Sequence, residues 1–188
     1  MSTLPRVRVL FDEEAIARRN EALARAVAAA ETRDLLVVAV LKGSFMFAAD
    51  LIRALHRAGL SPQVEFIHLS SYRKGNVSSG NVAILRDVES EVRGRDVLLI
   101  DDVLESGRTL AFAKDLLAAR GARRVLTAVL LEKPGKRAVT IDADFIGFSC
   151  PDVFVVGYGM DVAHSYRQLP FVGVVDYLDQ EPDLFGGT

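Results

Sequence analysis

The sequence predicts an α/β protein with a mainly parallel central sheet flanked by helices. Two observations predict it. The continuous apolar runs Leu35 to Leu41 and Val97 to Ile100, with the largely apolar stretch Val125 to Leu131, suit strands buried on both faces of a parallel sheet. Stretches with helical apolar spacing separate them, so strand, helix and strand alternate through long crossovers.

The elements follow in order. From Asp12 to Glu31 the pattern is helical: Asp12 suits an N-cap, and Ile16, Leu23 and Val27 recur near helical spacing. The apolar run Leu35 to Leu41 is the first buried strand. After Lys42-Gly43-Ser44, the residues Ala48, Leu51, Ile52 and Leu55 mark one helix face, and Gly59 ends that helix. Pro62 precedes a strand from Val64 to Leu69. Residues Ser70 to Gly80 are polar and glycine-bearing and read as a mobile loop. Asn81 to Asp87 reads as a strand, part of a hairpin. Val97 to Ile100 ends in Asp101-Asp102 and leads through a short loop into a helix with Leu110, Ala113, Leu116 and Leu117 inward, closed by Gly121. Val125 to Leu131 follows, then short strands at Phe145-Ile146, Val153 to Val156 and Phe171 to Val175. The tail after Gln180 reads as loose.

The length of 188 residues suits one domain spanning 1–188, with a small hood built from the terminal segments. The formal net charge of -2, without any block of like charges, argues against a protein that coats polyanions, so no nucleic-acid partner is expected. A single cysteine, Cys150, allows no internal disulfide and reads as a buried thiol in a reducing compartment. The N-terminus has no apolar signal core, and no stretch approaches the ~20 apolar residues of a membrane span. A cytoplasmic protein without a membrane partner is the expectation.

In open α/β sheets, ligands bind beyond the carboxyl ends of the strands. The segment Ile100-Asp101-Asp102-Val103-Leu104-Glu105-Ser106-Gly107-Arg108-Thr109 lies at such a place. Backbone N–H groups at a helix start, with two hydroxyls, make a cradle for a phosphate. The paired acids repel a phosphate, so they suit neutral hydroxyls or a cation, such as a ribose diol and Mg²⁺. Each residue alone is better explained as a strand end or a helix cap; the ordered combination is not.

This segment resembles the phosphoribosyl pyrophosphate motif of the type I phosphoribosyltransferases. From the first buried strand to Val175 the chain resembles the hypoxanthine-guanine phosphoribosyltransferases. The motif is neither a Walker A loop nor a G-x-G-x-x-G fingerprint. The resemblance implies displacement of pyrophosphate from C1 of the ribose by N9 of a purine, with Mg²⁺ as cofactor. Asp101 and Asp102 would hold ribose hydroxyls or metal, and Glu105, Ser106, Gly107, Arg108 and Thr109 would cradle the 5-phosphate. Lys42 and Gly43 would form the pyrophosphate loop, joined by Ser71, Arg137 and Arg167.

By the same resemblance Lys133 reads the oxygen at C6 of the base. A lysine only donates, so it selects 6-oxo over 6-amino purines. Phe154 stacks on the purine, the Val155 backbone meets its edge, and Asp161 lies near the base and a metal. The catalytic set is Glu105, Lys133 and Tyr72. Ser71-Tyr72 belongs to a lid that excludes water. Many relatives carry Asp where this chain has Glu105, which keeps the carboxylate but adds a methylene. Ser106 replaces a frequent Thr and keeps the hydroxyl.

His56, His68 and His164 form no metal-ligand pattern and receive no role. Phosphoacceptor receiver domains also pair acids after a strand, but after the first strand rather than a late one. Two further readings are a xanthine-preferring transferase and a non-catalytic regulator that binds RNA. Intact Lys133, Asp161 and Arg167 argue against the regulator. A homodimer or homotetramer is expected from the resemblance.

Overall fold

The structure, a computed structural model, describes residues 6–74 and 77–175, and of residues 71–74 and 77–81 the backbone only. The N-terminal strand β1 (Val7–Phe11) leads to α1 (Glu13–Ala29), β2 (Leu36–Leu41), α2 (Phe45–Arg57), β3 (Gln63–Lys74) and β4 (Val77–Arg86). Then come β5 (Asp96–Leu104), α3 (Arg108–Ala119), β6 (Arg124–Glu132), β7 (Phe145–Ser149), β8 (Val155–Val156) and β9 (Val172–Val175).

Six strands form the main sheet in the order β4-β3-β2-β5-β6-β7. All neighbours are parallel except the β3–β4 hairpin. The second sheet, β1-β9-β8, is antiparallel and joins the two ends of the described chain into the expected hood.

Period-two alternation sends successive residues of β2 to opposite faces. Val37 and Ala39 pack with Ile16, Leu23 and Val27 of α1 and Phe47, Leu51 and Leu55 of α2. Leu36, Val38 and Val40 pack with Leu110, Ala113 and Leu117 of α3. Helices on both faces explain why the central strands read as unbroken apolar runs. α1 starts where expected: the Asp12 carboxylate accepts a hydrogen bond from the Ala15 N–H at 2.7 Å.

Three elements depart from the sequence reading. β5 does not end at the acid pair but runs on to Leu104, because Asp101, Val103 and Leu104 keep pairing with Val129, Leu131 and Glu132 of β6. The polar segment expected as a loop is largely a hairpin: Ser71, Arg73 and Lys74 pair with Val82, Ser78 and Val77. Ladder bonds use the backbone, so serine content alone does not forbid a strand. β1 was not anticipated. Its partner β9 lies more than 160 positions away, beyond the reach of local pattern.

Candidate active site

The carboxyl ends of β2, β5 and β6 open onto a cleft with two lobes, of about 520 and 470 Å³. Lys42, Gly43, Asp102, Glu105 and Asp161 border both. Lys133, Phe154, Val155 and Arg167 line the first alone; Asp101, Ser106, Gly107 and Thr109 line the second alone. Lys133, Phe154 and Val155 thus lie on one side and Ser106, Gly107 and Thr109 on the other, with Asp102, Glu105, Asp161 and the β2 loop shared between them.

The floor is set by close approach. The Leu41–Lys42 peptide is cis, and the loop turns directly against β5. A Cβ on Gly43 would stand 1.7 Å from Asp102 Oδ2, so only glycine admits this contact. Gly159 meets the same loop from the other side: its Cβ would lie 2.3 Å from the Gly43 carbonyl oxygen.

Asp101 is 6% exposed, and its Oδ1 accepts from the Asp102 N–H at 2.9 Å. Burial first, and then the adjacent Asp102 charge, push its carboxyl well above the ordinary range. Asp102 Oδ1 accepts from the Val103 N–H at 2.9 Å, leaving Oδ2 toward Gly43. Gly107, in the left-handed region, precedes the first turn of α3, and the Ser106 hydroxyl accepts from the Arg108 N–H at 3.4 Å.

In the first lobe Lys133 is 6% exposed, its Nζ 3.7 Å from a carboxylate oxygen of Glu105. The longer glutamate arm still brings its carboxylate to the same cavity as the lysine. Phe154 is 48% exposed at the cavity wall rather than packed in the core, where a lone phenylalanine in an apolar run usually sits. The turn after Val155 is pinned from behind. The Tyr158 hydroxyl donates to Asp50 at 2.6 Å and accepts from the Asn20 side-chain amide at 2.9 Å. Burial, then the Asp50 hydrogen bond, keep the phenol protonated. Asp161 pairs with Arg167 at 2.7 Å, and Arg167 also donates to the Gly159 carbonyl at 2.6 Å.

Arg137 departs from its expected place. Its guanidinium donates to the carbonyl oxygens of Leu104 (2.9 Å), Glu105 (2.9 Å), Lys133 (3.1 Å) and Ile141 (3.3 Å) and pairs with Glu132 at 2.7 Å. It borders neither lobe. Converging carbonyls hold the fork behind the loops rather than in the cleft where the resemblance set its pyrophosphate role. Arg108 borders neither lobe. The side chains of Ser71 and Tyr72 lie outside the described residues.

His68 lines the first lobe although it received no role from the sequence. Its only signal was position: it pairs with Leu41, the residue before Lys42. His164 is exposed beside Asp161. Cys150 is buried, and burial pushes its thiol upward, in line with an inert core cysteine.

Known proteins resemble this arrangement. Residues 8–163 match the phosphoribosyl transferase domain family. The bifunctional protein TilS/HprT of Listeria innocua is 44% identical over 169 residues, 89% of this chain and 26% of that protein, so the chain spans about a quarter of that relative's length. The hypoxanthine-guanine phosphoribosyltransferase of Streptococcus agalactiae is 41% identical over 169 residues, 89% of this chain and 92% of the relative. A crystal structure of a hypoxanthine phosphoribosyltransferase from Staphylococcus aureus superposes with a TM-score of 0.85 at 35% identity, covering 96% of this chain and 94% of that one. The chain therefore belongs to the phosphoribosyl transferase domain family, alongside its hypoxanthine phosphoribosyltransferases.

Proposed function

We propose that this chain catalyses a purine salvage reaction. It moves the 5-phosphoribosyl group of phosphoribosyl pyrophosphate to N9 of hypoxanthine or guanine, releasing IMP or GMP and pyrophosphate. The observation that carries this reading is the first lobe: a nearly buried lysine, which can only donate, shares one cavity with an exposed phenylalanine face. That pair suits a flat ring bearing an oxygen where adenine bears an amine.

As the bond at C1 loosens, positive charge grows on the ribose and negative charge on the leaving group. Lys42 and Arg167 face that negative charge, Arg167 held in place by Gly159 and Asp161. Asp101, whose carboxyl burial pushes above its ordinary range, and Asp102 bind the ribose hydroxyls. Glu105 holds a proton at N7 of the purine, next to Lys133. Ser106, Gly107 and Thr109 take the 5-phosphate; Ser71 and Tyr72 keep their role as lid.

The acids suit Mg²⁺. Among the described residues no group of three or more acidic, histidine or cysteine side chains converges. That is the expected setting for an ion that takes one or two carboxylates and draws its other ligands from water and substrate phosphates. One or two of the carboxylates Asp101, Asp102 and Asp161 would hold it, and when bound it would neutralise charge on the departing pyrophosphate.

Purified protein supplied with donor, Mg²⁺ and each base in turn tests the reading. Hypoxanthine and guanine should turn over and adenine should not. Lys133→Ala should lower kcat/KM roughly 100-fold, the usual effect of losing one preorganised donor. Turnover of xanthine alone corrects the substrate, and folded protein inert toward every base removes the reading. We also infer a cytoplasmic homodimer or homotetramer; light scattering that gives a monomer excludes the assembly. Among the described residues no helix is long and apolar enough to cross a membrane.

A further inference from the structure

Arg137 binds to backbone, and the backbone it binds belongs to both halves of the cleft. Leu104 and Glu105 end β5 and open the phosphate loop; Lys133 opens the loop that reads the base. One terminal nitrogen of Arg137 lies 2.9, 2.9 and 3.1 Å from these three carbonyl oxygens, and its other terminal nitrogen is anchored on Glu132. The same segments meet twice more. The Lys133 N–H donates to Leu104 O at 3.0 Å, and the Ala138 N–H donates to Ser106 O at 2.9 Å. Gly107 packs on Ile141, Val139 and the Arg137 stem. The 137–141 segment is therefore the back wall of the phosphate loop, and the guanidinium is its rivet.

We propose that Arg137 is a positioning residue that couples the phosphate loop to the base-reading lysine, so that a ligand spanning both lobes binds better than its two halves would separately. This rests on the transferase reading, which supplies such a ligand in the nucleoside monophosphate. The fork serves the three carbonyls through one terminal nitrogen while Nε holds Ile141 O and the other terminal nitrogen holds Glu132. A lysine keeps the charge on one nitrogen, so it can meet the carbonyls only by giving up the Glu132 and Ile141 anchors that fix it between the loops. A contact to the pyrophosphate would behave in the opposite way, since there the charge matters more than the fork.

Calorimetry with IMP and, separately, inorganic pyrophosphate in magnesium buffer distinguishes the two, using Arg137→Lys and Arg137→Gln alongside steady-state kinetics. Both variants should bind IMP at least tenfold more weakly and pyrophosphate within twofold of the parent. Their kcat should fall tenfold or more with KM for the donor within threefold. Tenfold weaker pyrophosphate binding that lysine restores, or unchanged IMP binding, overturns the proposal. If thermal melts show that neither variant folds, Glu132→Gln frees one end of the fork and should weaken IMP two- to threefold; no change there overturns it as well. A parent protein that binds no IMP removes the transferase reading itself, and the coupling with it.

Discussion

Asp96 and Asp101 stand five residues apart on β5, both buried, and they face opposite circumstances. Asp96, at the start of the strand, is fully enclosed. Its Oδ2 accepts from the Arg33 N–H at 2.8 Å and from Arg124 at 3.1 Å, and pairs with Arg123. Burial pushes its carboxyl up, but the Arg33 N–H and the two guanidinium groups outweigh it and hold the group below the usual range. Asp101, near the other end, is buried beside another carboxylate and pushed the other way. One residue type on one strand is paired with cations at one end and, at the other, lies beside a like charge at the mouth of the cleft, where perturbed carboxylates cluster in active sites. At the amino end of the sheet the carboxylate charge meets two guanidinium groups through Oδ2; at the carboxyl end no cation among the described residues answers Asp101.

The contrast can be broken by substitution. Asp96→Asn should have the largest effect, roughly 3 kcal/mol of unfolding free energy by denaturant titration near neutral pH, because it strips a paired buried charge from two arginines. The pH dependence has a definite sign. Because the folded pKa is depressed, the stability from Asp96 is present above the ordinary value of 3.8 and is lost as pH falls through the folded value. Parent and variant should therefore converge in strong acid. A gap that persists there would mean packing, not charge, is what Asp96 contributes.

Arg123→Met comes next, at about 1 kcal/mol, since Arg123 is 45% exposed and Asp96 keeps Arg124 and the Arg33 N–H. Asp101→Asn should have the smallest effect on stability and the reverse sign. A carboxyl whose folded pKa is raised lowers stability once pH exceeds its unfolded value, so the neutral amide should leave the protein equally or more stable at pH 7. The same variant should lose most turnover. A clear loss of stability in it would erase the distinction between the two ends of β5.

The sequence carried the sheet because Leu35 to Leu41 and Val125 to Leu131 are apolar on both faces, which few other structures explain. It carried most of the cleft because Lys42, the acid pair and Lys133 all follow such runs, and Phe154 sits within the short apolar stretch Val153 to Val156. Arg137 could not be placed that way. Its partners are four backbone carbonyls and Glu132, and a carbonyl has no letter in the sequence. His68 was hidden for a related reason: it enters the cleft through strand register, a relation between β2 and β3 rather than a local pattern. β5 outran its unbroken apolar run because backbone pairing with β6 continues through the acid pair to Val103 and Leu104.

Gly43 has a consequence for how such a chain can change over generations. The Asp102 carboxylate occupies the space a methyl group would need on Gly43, and the Gly43 carbonyl occupies the space one would need on Gly159. Three distant codons are thereby tied together. A side chain gained at Gly43 needs the Asp102 carboxylate to swing aside or disappear, whereas one gained at Gly159 meets the Gly43 backbone, which cannot swing. Lineages starting from this sequence can alter the rim of the cleft freely, but each change at this floor also repositions Asp102 or the β2 loop.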